Sequence, residues 1–433
     1  MRTWILLIVF IASFFQSLVL KCIGIVIVPR NMKAVILAAG EGLRCRPLTL
    51  TRSKVMLPVA NKPILEYVIM ALSKNEIKDI ILVVGYKKER IMDHFGNGND
   101  FGVKISYIDQ DAQLGTAHAI KMAEPLVGEK FMVLNGDNLI DEETISDLLR
   151  GESGDISLLS VSRDQITGYG VLLIEKGKVT QIFEKPRDRI SHLVNTGIYI
   201  FSSSIFNEIE KTPISEIGEY AITDTIQKMI EKGASVTNIT TRRTWIDAVH
   251  SWDLLKANSV LLGKIEDMKV SGSIEKGAVI IGDVAIGDNS VVRSGSYIVG
   301  PVIIGKNCNI GPNTTILPST ALGDNCSISS FTEIENSIIM NDTRIGTGSY
   351  VSNSIIGSHN IIGPHFVSEV GKDLNIEMKG ILHHADELGS VVGDNNIIGH
   401  AVLVRAGNTI STGCRVDSGV KILKSIPRDS IVL

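Results

Sequence analysis

The feature that most constrains the fold is a six-residue period of aliphatic residues in the C-terminal part of the chain. From residue 274 to residue 334 every sixth position carries Ile, Leu or Val, and the spacing returns from residue 392 to residue 422. The period shifts near residues 340–362 and is lost in the polar stretch 364–390. Neither a helix nor an alternating strand has this spacing. Short strands and turns stacked coil upon coil do have it, so the pattern predicts a parallel β-helix.

Before the repeats, short apolar runs alternate with amphipathic segments. Runs 33–39, 80–84 and 131–134 are typical of buried parallel strands, and segments 63–74 and 117–123 are typical of helices. A βαβ series of this kind predicts an α/β sheet with helices on both faces. The predicted fold class is therefore α/β, with a Rossmann-like domain at residues 32–262 and a parallel β-helix at residues 263–433, preceded by a hydrophobic leader at residues 1–31.

Composition and charge restrict the partners and the compartment that we expect for this protein. The 433 residues include 43 basic and 47 acidic side chains, a net charge of −4, which argues against a nucleic-acid partner held through phosphates. The mean hydropathy of +0.21 is high, and either a membrane protein or a repetitive aliphatic core would produce it. Five scattered cysteines without paired spacing suit a reducing compartment, so we expect a cytoplasmic protein.

One stretch is apolar enough to enter a bilayer. Residues 4–20 carry no charge and would span roughly 25 Å as a helix, against a hydrocarbon core of about 30 Å. The leader could be a membrane anchor, a signal peptide, or upstream translation before a start at Met32. A helix ending at residue 28 would leave very little chain before the first strand, so we favour the upstream start. Membrane contact is expected only if the leader belongs to the native protein.

A glycine-rich loop follows the first predicted strand. Gly40 and Gly42 would let backbone N–H groups approach a phosphate, and Arg44 adds positive charge. The loop lacks the third glycine of a dinucleotide fingerprint and the Gly-Lys-Ser/Thr of a P-loop. This segment taken alone is equally well explained as a tight turn between strand and helix.

An ordered set of motifs extends this loop: KAVILAAGEG (33–42), RCRPLT (44–49), KVMLPV (54–59), NKPI (61–64), LGTAH (114–118), NGD (135–137), GYG (168–170), EKP (184–186), NTG (195–197) and WID (245–247). The set closely resembles the sugar-1-phosphate nucleotidylyltransferase family over about residues 32–260. Two local departures are Leu43, where the family has Thr, and Cys45, where Leu is common. Both leave Arg44 and the glycines in place.

The resemblance implies a reaction and a site. A sugar-1-phosphate oxygen attacks the α-phosphorus of a nucleoside triphosphate, which forms an NDP-sugar and releases pyrophosphate. Arg44 and Lys54 are the implied catalytic cations, and Asp137 and Asp247 the implied Mg²⁺ ligands. The implied nucleotide-binding residues are Leu37, Ala39, Gly40, Gly42, Gln110, Gly115 and Thr116. The implied sugar-phosphate pocket contains Gly170, Glu184, Lys185, Asn195 and Thr196.

Simpler interpretations of single residues stay open. Asp137 could be only a turn former, Asp247 could cap a helix that starts near Trp252, and Lys54 could be a solvated lysine. For His118 we expect a structural role rather than a catalytic one. No general base is assigned, because a sugar phosphate is already an anion at neutral pH.

The whole chain resembles the bifunctional uridylyltransferase/acetyltransferase enzymes and their archaeal relatives, which carry a left-handed hexapeptide β-helix. This implies a homotrimer formed through the β-helix, with acetyl-CoA as a second substrate if that activity exists. The family's His-Leu-Ser-Tyr string corresponds here to TGSY (347–350), in which Tyr350 remains and the His is replaced. Lys372 and Lys379 remain from the following loop, but no clear counterpart of the family's Asn is found.

Acyl transfer to an amino group needs a base, and His359, His365, His383 and His384 lie near enough in sequence to substitute. Their spacing does not identify one of them. We therefore favour a β-helix that serves as an oligomerisation and regulatory module over an active acetyltransferase.

The sequence leaves the substrates open. Gln110 can pair with uracil or thymine, which favours UTP or dTTP, and the sugar is of the glucose or N-acetylglucosamine type. A third hypothesis is a non-catalytic interaction scaffold of the same architecture. It is less favoured because Arg44, Lys54, Asp137 and Asp247 are all present.

Overall fold

The structure is a computed structural model that describes residues 32–186, 188–215, 218–264, 269–378 and 380–433. The leader at residues 1–31 and Lys379 lie outside the described residues. Contacts divide the described chain into two compact units, residues 32–40 with Leu65–Ile246, and Glu41–Ile64 with Asp247–Leu433. The domain limits 32–262 and 263–433 stay predictions. The contact-based units differ from them because residues 41–64 and 247–262 group with the second unit.

The strands before the repeats are β1 (Lys33–Ala38), β2 (Pro58–Val59), β3 (Lys62–Pro63), β4 (Asp79–Val84), β5 (Lys104–Asp109), β6 (Lys130–Asn135), β7 (Asn138–Ile140), β8 (Ile156–Ser162), β9 (Val171–Glu175), β10 (Lys178–Phe183), β11 (Leu193–Ser202), β12 (Val236–Thr241) and β13 (Trp245–Asp247). The helices are α1 (Ile64–Lys74), α2 (Lys88–Phe95), α3 (Thr116–Met122), α4 (Glu142–Gly151), α5 (Ile205–Ile209), α6 (Ile222–Glu231) and α7 (Asp253–Leu262). Short 3-10 helices occupy Leu43–Cys45, Leu48–Leu50, Lys54–Met56, Asn99–Phe101 and Glu124–Leu126.

A nine-stranded sheet forms the first unit, in the order β5-β4-β1-β6-β11-β8-β12-β10-β9. The strands β5, β4, β1 and β6 pair in parallel, and the continuous apolar runs of β4, β1 and β6 predict this arrangement. Beyond β6 the pairing is mostly antiparallel, because β11 runs against both β6 and β8. The α/β prediction is therefore confirmed, with an antiparallel extension that the sequence pattern did not indicate.

Helix α1 shows why these segments are helical. Leu65, Val68, Ile69 and Leu72 are fully buried, and their i, i+3, i+4, i+7 spacing forms one apolar stripe. No helix in the described ranges has the length and apolar character needed to cross a bilayer.

Three parallel sheets run through the second unit, and each strand pairs with the strand one coil later. Ile286, for example, pairs with Ile304, and Ile304 with Leu322. The first sheet contains Ser273–Ile274, Val291–Val292, Asn309–Ile310, Ser327–Ile328, Arg344–Ile345, Ile361–Ile362, Ile397–Ile398, Arg415–Val416 and Ile431–Val432. The second contains Val279–Ile281, Tyr297–Val299, Thr315–Ile316, Glu333–Glu335, Tyr350–Ser352, Val367–Ser368, Leu403–Val404 and Lys421–Ile422. The third contains Val284–Ile286, Val302–Ile304, Thr320–Leu322, Ile338–Ile339, Ile355–Ile356, Val391–Val392 and Thr409–Ile410.

The periodic aliphatic residues fill the inside of these coils. Their buried members are Ile286, Val292, Ile298, Ile304, Ile310, Ile316, Leu322, Ile328, Ile334, Val392, Ile398, Val404, Ile410, Val416 and Ile422. Ile280 is partly buried against them. Ile274 is 40% exposed, because it lies in the end strand of its sheet. The predicted parallel β-helix is confirmed, and its left-handed sense stays a prediction.

The interruption of the period has a structural cause. Ile339 and Ile356 each follow the preceding inward residue after five positions instead of six, and both remain buried. Ser368 then takes the next inward position, where its hydroxyl group bonds to Ser354 (2.7 Å) and Ser390 (2.8 Å). After it, the strands Gly371–Met378 and Ile381–Leu388 form an antiparallel hairpin outside the coils. The polar stretch is thus an insertion between two coils.

Candidate active site

The carboxyl ends of β1 and β6 meet in the first unit. Strand β1 lies between β4 and β6, so the strand order proceeds from β1 to β4 on one side and resumes at β6 on the other. Ligands of open α/β sheets bind at the carboxyl ends of the strands where the order reverses in this way. Leu37 pairs with Asn135, and the Leu37 carbonyl accepts a hydrogen bond from the Gly136 N–H at 2.9 Å. Asp137 follows directly, in the turn between β6 and β7. The sheet therefore places Asp137 beside the start of the glycine loop.

Gly42 and Lys54 pack against each other in the second unit. Gly42 has a φ of 75°, and a Cβ there would lie 2.5 Å from Lys54 Cβ. Its carbonyl accepts from the Cys45 N–H at 2.9 Å and from the Thr49 hydroxyl at 3.0 Å, which fixes the turn. The stem of Lys54 thus occupies the space that the missing side chain of Gly42 leaves open.

The ammonium group of Lys54 lies 3.7 Å from Asp247 Oδ1, and both side chains are mostly buried, at 12% and 20% exposure. This excludes the interpretation of Lys54 as a solvated lysine. Asp247 is the last residue of β13, and the N-cap of α7 is Trp252, so Asp247 does not cap that helix. Arg44 lies in the 3-10 helix Leu43–Cys45 and is exposed. The second unit therefore presents two cations and one carboxylate of the predicted set.

Three of the predicted nucleotide-binding residues, Gln110, Gly115 and Thr116, lie around the start of α3. Gln110 is 4% exposed, and its Nε2 atom lies 2.9 Å from His118 Nδ1. His118 thus contacts Gln110 directly, and the structural role expected for it stays a prediction. Gly115 packs against residue Tyr220, whose carbonyl oxygen would lie 2.6 Å from a Cβ at that position. The Thr116 hydroxyl accepts from the Ile222 N–H at 3.0 Å.

Ala39 and Gly40 follow directly after β1. The Ala39 carbonyl accepts hydrogen bonds from Gln113 Nε2 at 2.7 Å and from the Tyr86 N–H at 3.1 Å. A Cβ on Gly40 would meet no atom within 4 Å. Gly40 thus has open space in front of it, as a phosphate approach requires.

Three predicted sugar-pocket residues come together within the first unit. A Cβ on Gly170 would lie 3.4 Å from Glu184 Oε2 and 3.5 Å from Asn195 Cβ. Asn195 Nδ2 donates to the hydroxyl of Tyr199 at 2.6 Å. Burial raises the pKa of Tyr199 above its usual value, and the charge of Glu184 raises it further. Tyr199 therefore stays neutral and holds the Asn195 amide.

The other two members of this set differ in exposure. Lys185 lies 3.4 Å from Glu184 through its ammonium group, and both side chains are partly exposed. Thr196 is buried, and its hydroxyl donates to the Leu159 carbonyl at 2.7 Å. The NTG motif forms an irregularity in β11, where the register with β8 shifts between Asn195 and Tyr199. Thr196 supports this irregularity with its side chain.

The two predicted metal-binding residues lie one in each unit, and both are carboxylates. Asp137 and Asp247 supply oxygen donors, and Mg²⁺ in proteins is usually held by one or two carboxylates together with substrate phosphates and water. No group of three or more His, Cys, Asp or Glu side chains suited to a metal occurs among the described residues. Each carboxylate by itself is therefore of the donor type that suits a magnesium ion carried by a nucleotide.

The predicted acyltransferase remnants lie in the β-helix unit. Tyr350 is 38% exposed at the start of the strand Tyr350–Ser352. Lys372 lies on the hairpin with its ammonium group 3.9 Å from Glu387, and Lys379 lies outside the described residues. A Cβ on Gly348 would lie 2.7 Å from His365 Nδ1, so the His365 ring covers the TGSY turn from the next coil.

The structure also shows contacts that the sequence did not indicate. His250 Nε2 lies 3.0 Å from His383 Nδ1 on the hairpin. Burial, and then the charges of His250 and Arg44, lower the pKa of His383 below its usual value. Arg52 and Asp394 form a buried ion pair within the second unit. No motif or spacing indicates these contacts, because the two partners of each are distant in sequence.

The model of the Nucleotidyl transferase family matches residues 33–263, and a GMPPB C-terminal domain model matches residues 298–388. A protein of Methanococcus maripaludis strain C7 named bifunctional protein GlmU is 41% identical over 409 residues, covering 93% of this chain and 97% of that protein. The protein of the same name from Methanocaldococcus jannaschii is 36% identical over 407 residues, again covering 93% and 97%. A glucose-1-phosphate thymidylyltransferase of Streptomyces antibioticus is 35% identical over 267 residues, 60% of this chain and 74% of that protein.

Among solved structures, a Bacillus anthracis protein described as a glucose-1-phosphate thymidylyltransferase superposes with a TM-score of 0.50 and 31% identity. The match covers 55% of this chain and 98% of that one. These similarities agree with the glycine loop and the ordered motifs described above. The chain belongs to the Nucleotidyl transferase family, and within it to the sugar-1-phosphate nucleotidyltransferases.

Proposed function

We propose that this enzyme transfers a pyrimidine nucleotidyl group from UTP or dTTP to a hexose-1-phosphate of the glucose or N-acetylglucosamine type, releasing pyrophosphate. The observation that carries the proposal is the setting of Lys54. Its stem packs on Gly42 of the glycine loop, and its ammonium group lies 3.7 Å from Asp247. A lysine held in this way supplies a fixed positive charge where a triphosphate would lie on the loop.

Nucleotidyl transfer to a sugar phosphate requires positive charge near the reacting phosphates more than it requires a general base. Two anions must meet, and pyrophosphate carries additional negative charge as it leaves, so positioning and electrostatic stabilisation dominate. Backbone N–H groups of the loop at Gly40 and Gly42 would bind the triphosphate, and Arg44 would stabilise the leaving pyrophosphate. Lys54 would neutralise the reacting phosphates as a compact point charge. The sugar phosphate oxygen attacks the α-phosphorus, and the bond from that phosphorus to pyrophosphate breaks.

Asp137 and Asp247 are the residues we propose to hold Mg²⁺ when the nucleotide is bound. The ion would supply positive charge that neutralises phosphate oxygens. Asp247 also faces Lys54, so its carboxylate keeps the ammonium group oriented toward the loop. Removing the carboxylate should therefore affect both the metal dependence and the position of Lys54.

Substrate choice is proposed to rest on two clusters. Gln110, oriented by His118, would read the edge of uracil or thymine through its amide. Glu184 and Asn195, which meet at Gly170, would accept from and donate to sugar hydroxyl groups. Lys185 would add charge for the sugar phosphate. A site that hydrogen-bonds a hydroxyl group rejects analogues that lack it, because its buried polar atoms would then stay unpaired.

A matrix of four nucleoside triphosphates against glucose-, N-acetylglucosamine- and mannose-1-phosphate, read by pyrophosphate release, tests the proposal. We expect turnover with UTP or dTTP and with at least one of the first two sugars. Asp137→Asn should abolish metal-dependent turnover, whereas Asp288→Asn, a 58% exposed carboxylate on the β-helix, should leave it unchanged. Pyrophosphate release by Asp137→Asn at the wild-type rate would contradict the metal assignment, and the absence of turnover across the matrix would contradict the function.

For the β-helix we propose a homo-oligomer, most simply a trimer. Ile361 and Ile397 pair in adjacent coils of one sheet and are 52% and 48% exposed, so they form an outward aliphatic row. An exposed apolar row of this kind is better explained by a covered interface than by solvent. Light scattering after size-exclusion chromatography should give a trimer mass for the wild type. Ile361→Glu with Ile397→Glu should lower it, and a monomeric wild type would contradict the proposal.

An acetyltransferase activity is the second candidate, and one observation favours it. The His365 ring lies against Gly348, directly beside the position where related enzymes carry their histidine. The assay is acetyl-CoA with glucosamine-1-phosphate, read by release of free thiol. Turnover that His365→Gln removes would establish the second activity, and no turnover would leave the β-helix as an assembly module.

A further inference from the structure

The segment of residues 41–64, which carries Arg44 and Lys54, is attached to the coils of the second unit by buried polar contacts. Arg52 is 7% exposed, and its guanidinium group pairs with the Asp394 carboxylate. The same guanidinium group donates to Ser358 Oγ at 3.2 Å and to Met340 Sδ at 3.3 Å. Arg52 thus reaches three successive coils of the β-helix.

Asp394 is arranged to receive this arginine. The residue is 2% exposed, and its Oδ1 atom accepts from the Ser358 N–H at 2.8 Å. Its Oδ2 atom accepts from both Arg52 and the hydroxyl of Thr51. A carboxylate this deeply buried needs such partners, since burying an unpaired charge is strongly unfavourable. The β-helix therefore holds a charged group whose partners come from the glycine-loop segment.

A second attachment lies at the far end of the segment. Asn61 Nδ2 donates to the Leu322 carbonyl at 2.6 Å, and the Ala60 N–H donates to Asn258 Oδ1 at 2.9 Å. Asn258 in turn donates to the Ser319 carbonyl at 2.7 Å. The stretch between the two attachments, residues 52–61, includes Lys54 and has little freedom to move.

Arg52 is only two residues before Lys54, and the fully buried Ser53 lies between them. Lys54 begins the 3-10 helix Lys54–Met56, so its backbone direction is set by the residues immediately before it. On its other side Lys54 packs against Gly42 and faces Asp247. A shift of Arg52 would therefore be transmitted to the lysine and to the glycine loop that it supports.

We propose that Asp394, a residue of the β-helix, is a positioning residue for nucleotidyl transfer. It holds Arg52, and through the short connection to Lys54 it sets where the lysine charge meets the triphosphate. This inference rests on the proposed function. It gives the β-helix a part in the reaction at the glycine loop in addition to any role in assembly.

The test compares Asp394→Asn with a matched control in the same unit. The substituted amide keeps an acceptor for the Ser358 N–H but loses the charge that holds Arg52. The control is Asn360→Ala, which removes a fully buried side chain that donates to the Gly357 and Gly393 carbonyls and accepts from the Asn396 N–H. None of these hydrogen bonds involves residues 41–64. Each full-length variant is measured for Tm, for kcat and KM, and for amide hydrogen exchange in residues 41–64.

We expect Asp394→Asn to lower kcat for pyrophosphate release at least tenfold and to raise exchange in residues 41–57. Asn360→Ala should lower Tm while leaving kcat within twofold and exchange in that segment unchanged. Arg52→Lys, which keeps a cation for Asp394, should retain more of kcat than Arg52→Gln. Equal kcat for Asp394→Asn and Asn360→Ala would overturn the proposal.

The exchange measurement separates this proposal from the proposed function. If the wild type turned over no nucleotide, the proposed function would fail, whereas raised exchange in Asp394→Asn alone would still establish that Asp394 anchors the segment. If turnover were normal and exchange in residues 41–57 unchanged in Asp394→Asn, the anchoring itself would be refuted.

Discussion

Replacing Gly42 by alanine tests how the glycine loop positions Lys54. Gly42 has a φ of 75°, and an added Cβ would lie 2.5 Å from Lys54 Cβ. The substitution therefore introduces two separate disturbances, a left-handed backbone conformation at a residue with a side chain and a direct overlap with the lysine stem. Only the second disturbance bears on the proposed reaction.

The sizes of the two effects follow from the geometry. An L-residue in the left-handed region costs about 1–2 kcal/mol. Non-bonded carbon atoms are normally about 3.5–4.0 Å apart, so Lys54 or the loop must move by roughly 1 Å. Such overpacking costs about 1–3 kcal/mol of stability. A displacement of about 1 Å at a reacting group lowers the rate roughly 100-fold.

Gly177 provides the matched control, because its φ is 79° and a Cβ there would meet nothing within 4 Å. Gly177→Ala thus carries the backbone cost alone. Steady-state pyrophosphate release and thermal unfolding of both variants are the measurements. We expect Gly42→Ala to lose about 100-fold in kcat/KM and about 1–3 kcal/mol more stability than Gly177→Ala. Equal kcat/KM for the two variants would refute the argument that the loop positions Lys54.

Three further predictions concern other parts of the chain. Tyr199→Phe removes the partner of the Asn195 amide, so we expect a higher KM for the sugar phosphate and a stability loss of about 1 kcal/mol, measured by kinetics and denaturation. Ile334→Ala should cost about 2–5 kcal/mol in the free energy of unfolding, because this side chain is fully buried among the coils. The pKa of His383 is lowered, so the folded protein binds this proton less readily than the unfolded chain. Stability should therefore fall as pH decreases below about 6.5, and Tm against pH should be flatter in His383→Gln than in the wild type.

Much of the fold could be predicted from local patterns. The six-residue aliphatic period predicted the positions of the coils. Whether a residue points into the β-helix depends only on the number of residues per coil and on the residue that it stacks against in the next coil. The buried runs located β1, β4 and β6, since parallel strands covered on both faces must be apolar throughout. The antiparallel extension through β11 was not predicted, because strand pairing between distant segments leaves little trace in a single sequence.

The candidate site was likewise predicted only in part. Arg44, Lys54, Asp137 and Asp247 were found because they stand at fixed offsets within short motifs. The side chains that hold other site residues in place were not predicted. Tyr199 belongs to a plain strand sequence, and its bond to Asn195 depends on the irregularity in β11.

The sequence by itself determined that this chain forms an α/β sheet followed by a β-helix, and its motifs predict which charged groups form the candidate site of a sugar-1-phosphate nucleotidyltransferase. Tertiary structure alone decided that the segment carrying Lys54 is held by the β-helix, through two side chains separated by 342 positions. The physical reason is that hydrophobic period and loop motifs act over a few residues, whereas a buried ion pair depends on which coil packs against which loop. That choice is made only when the whole chain has folded.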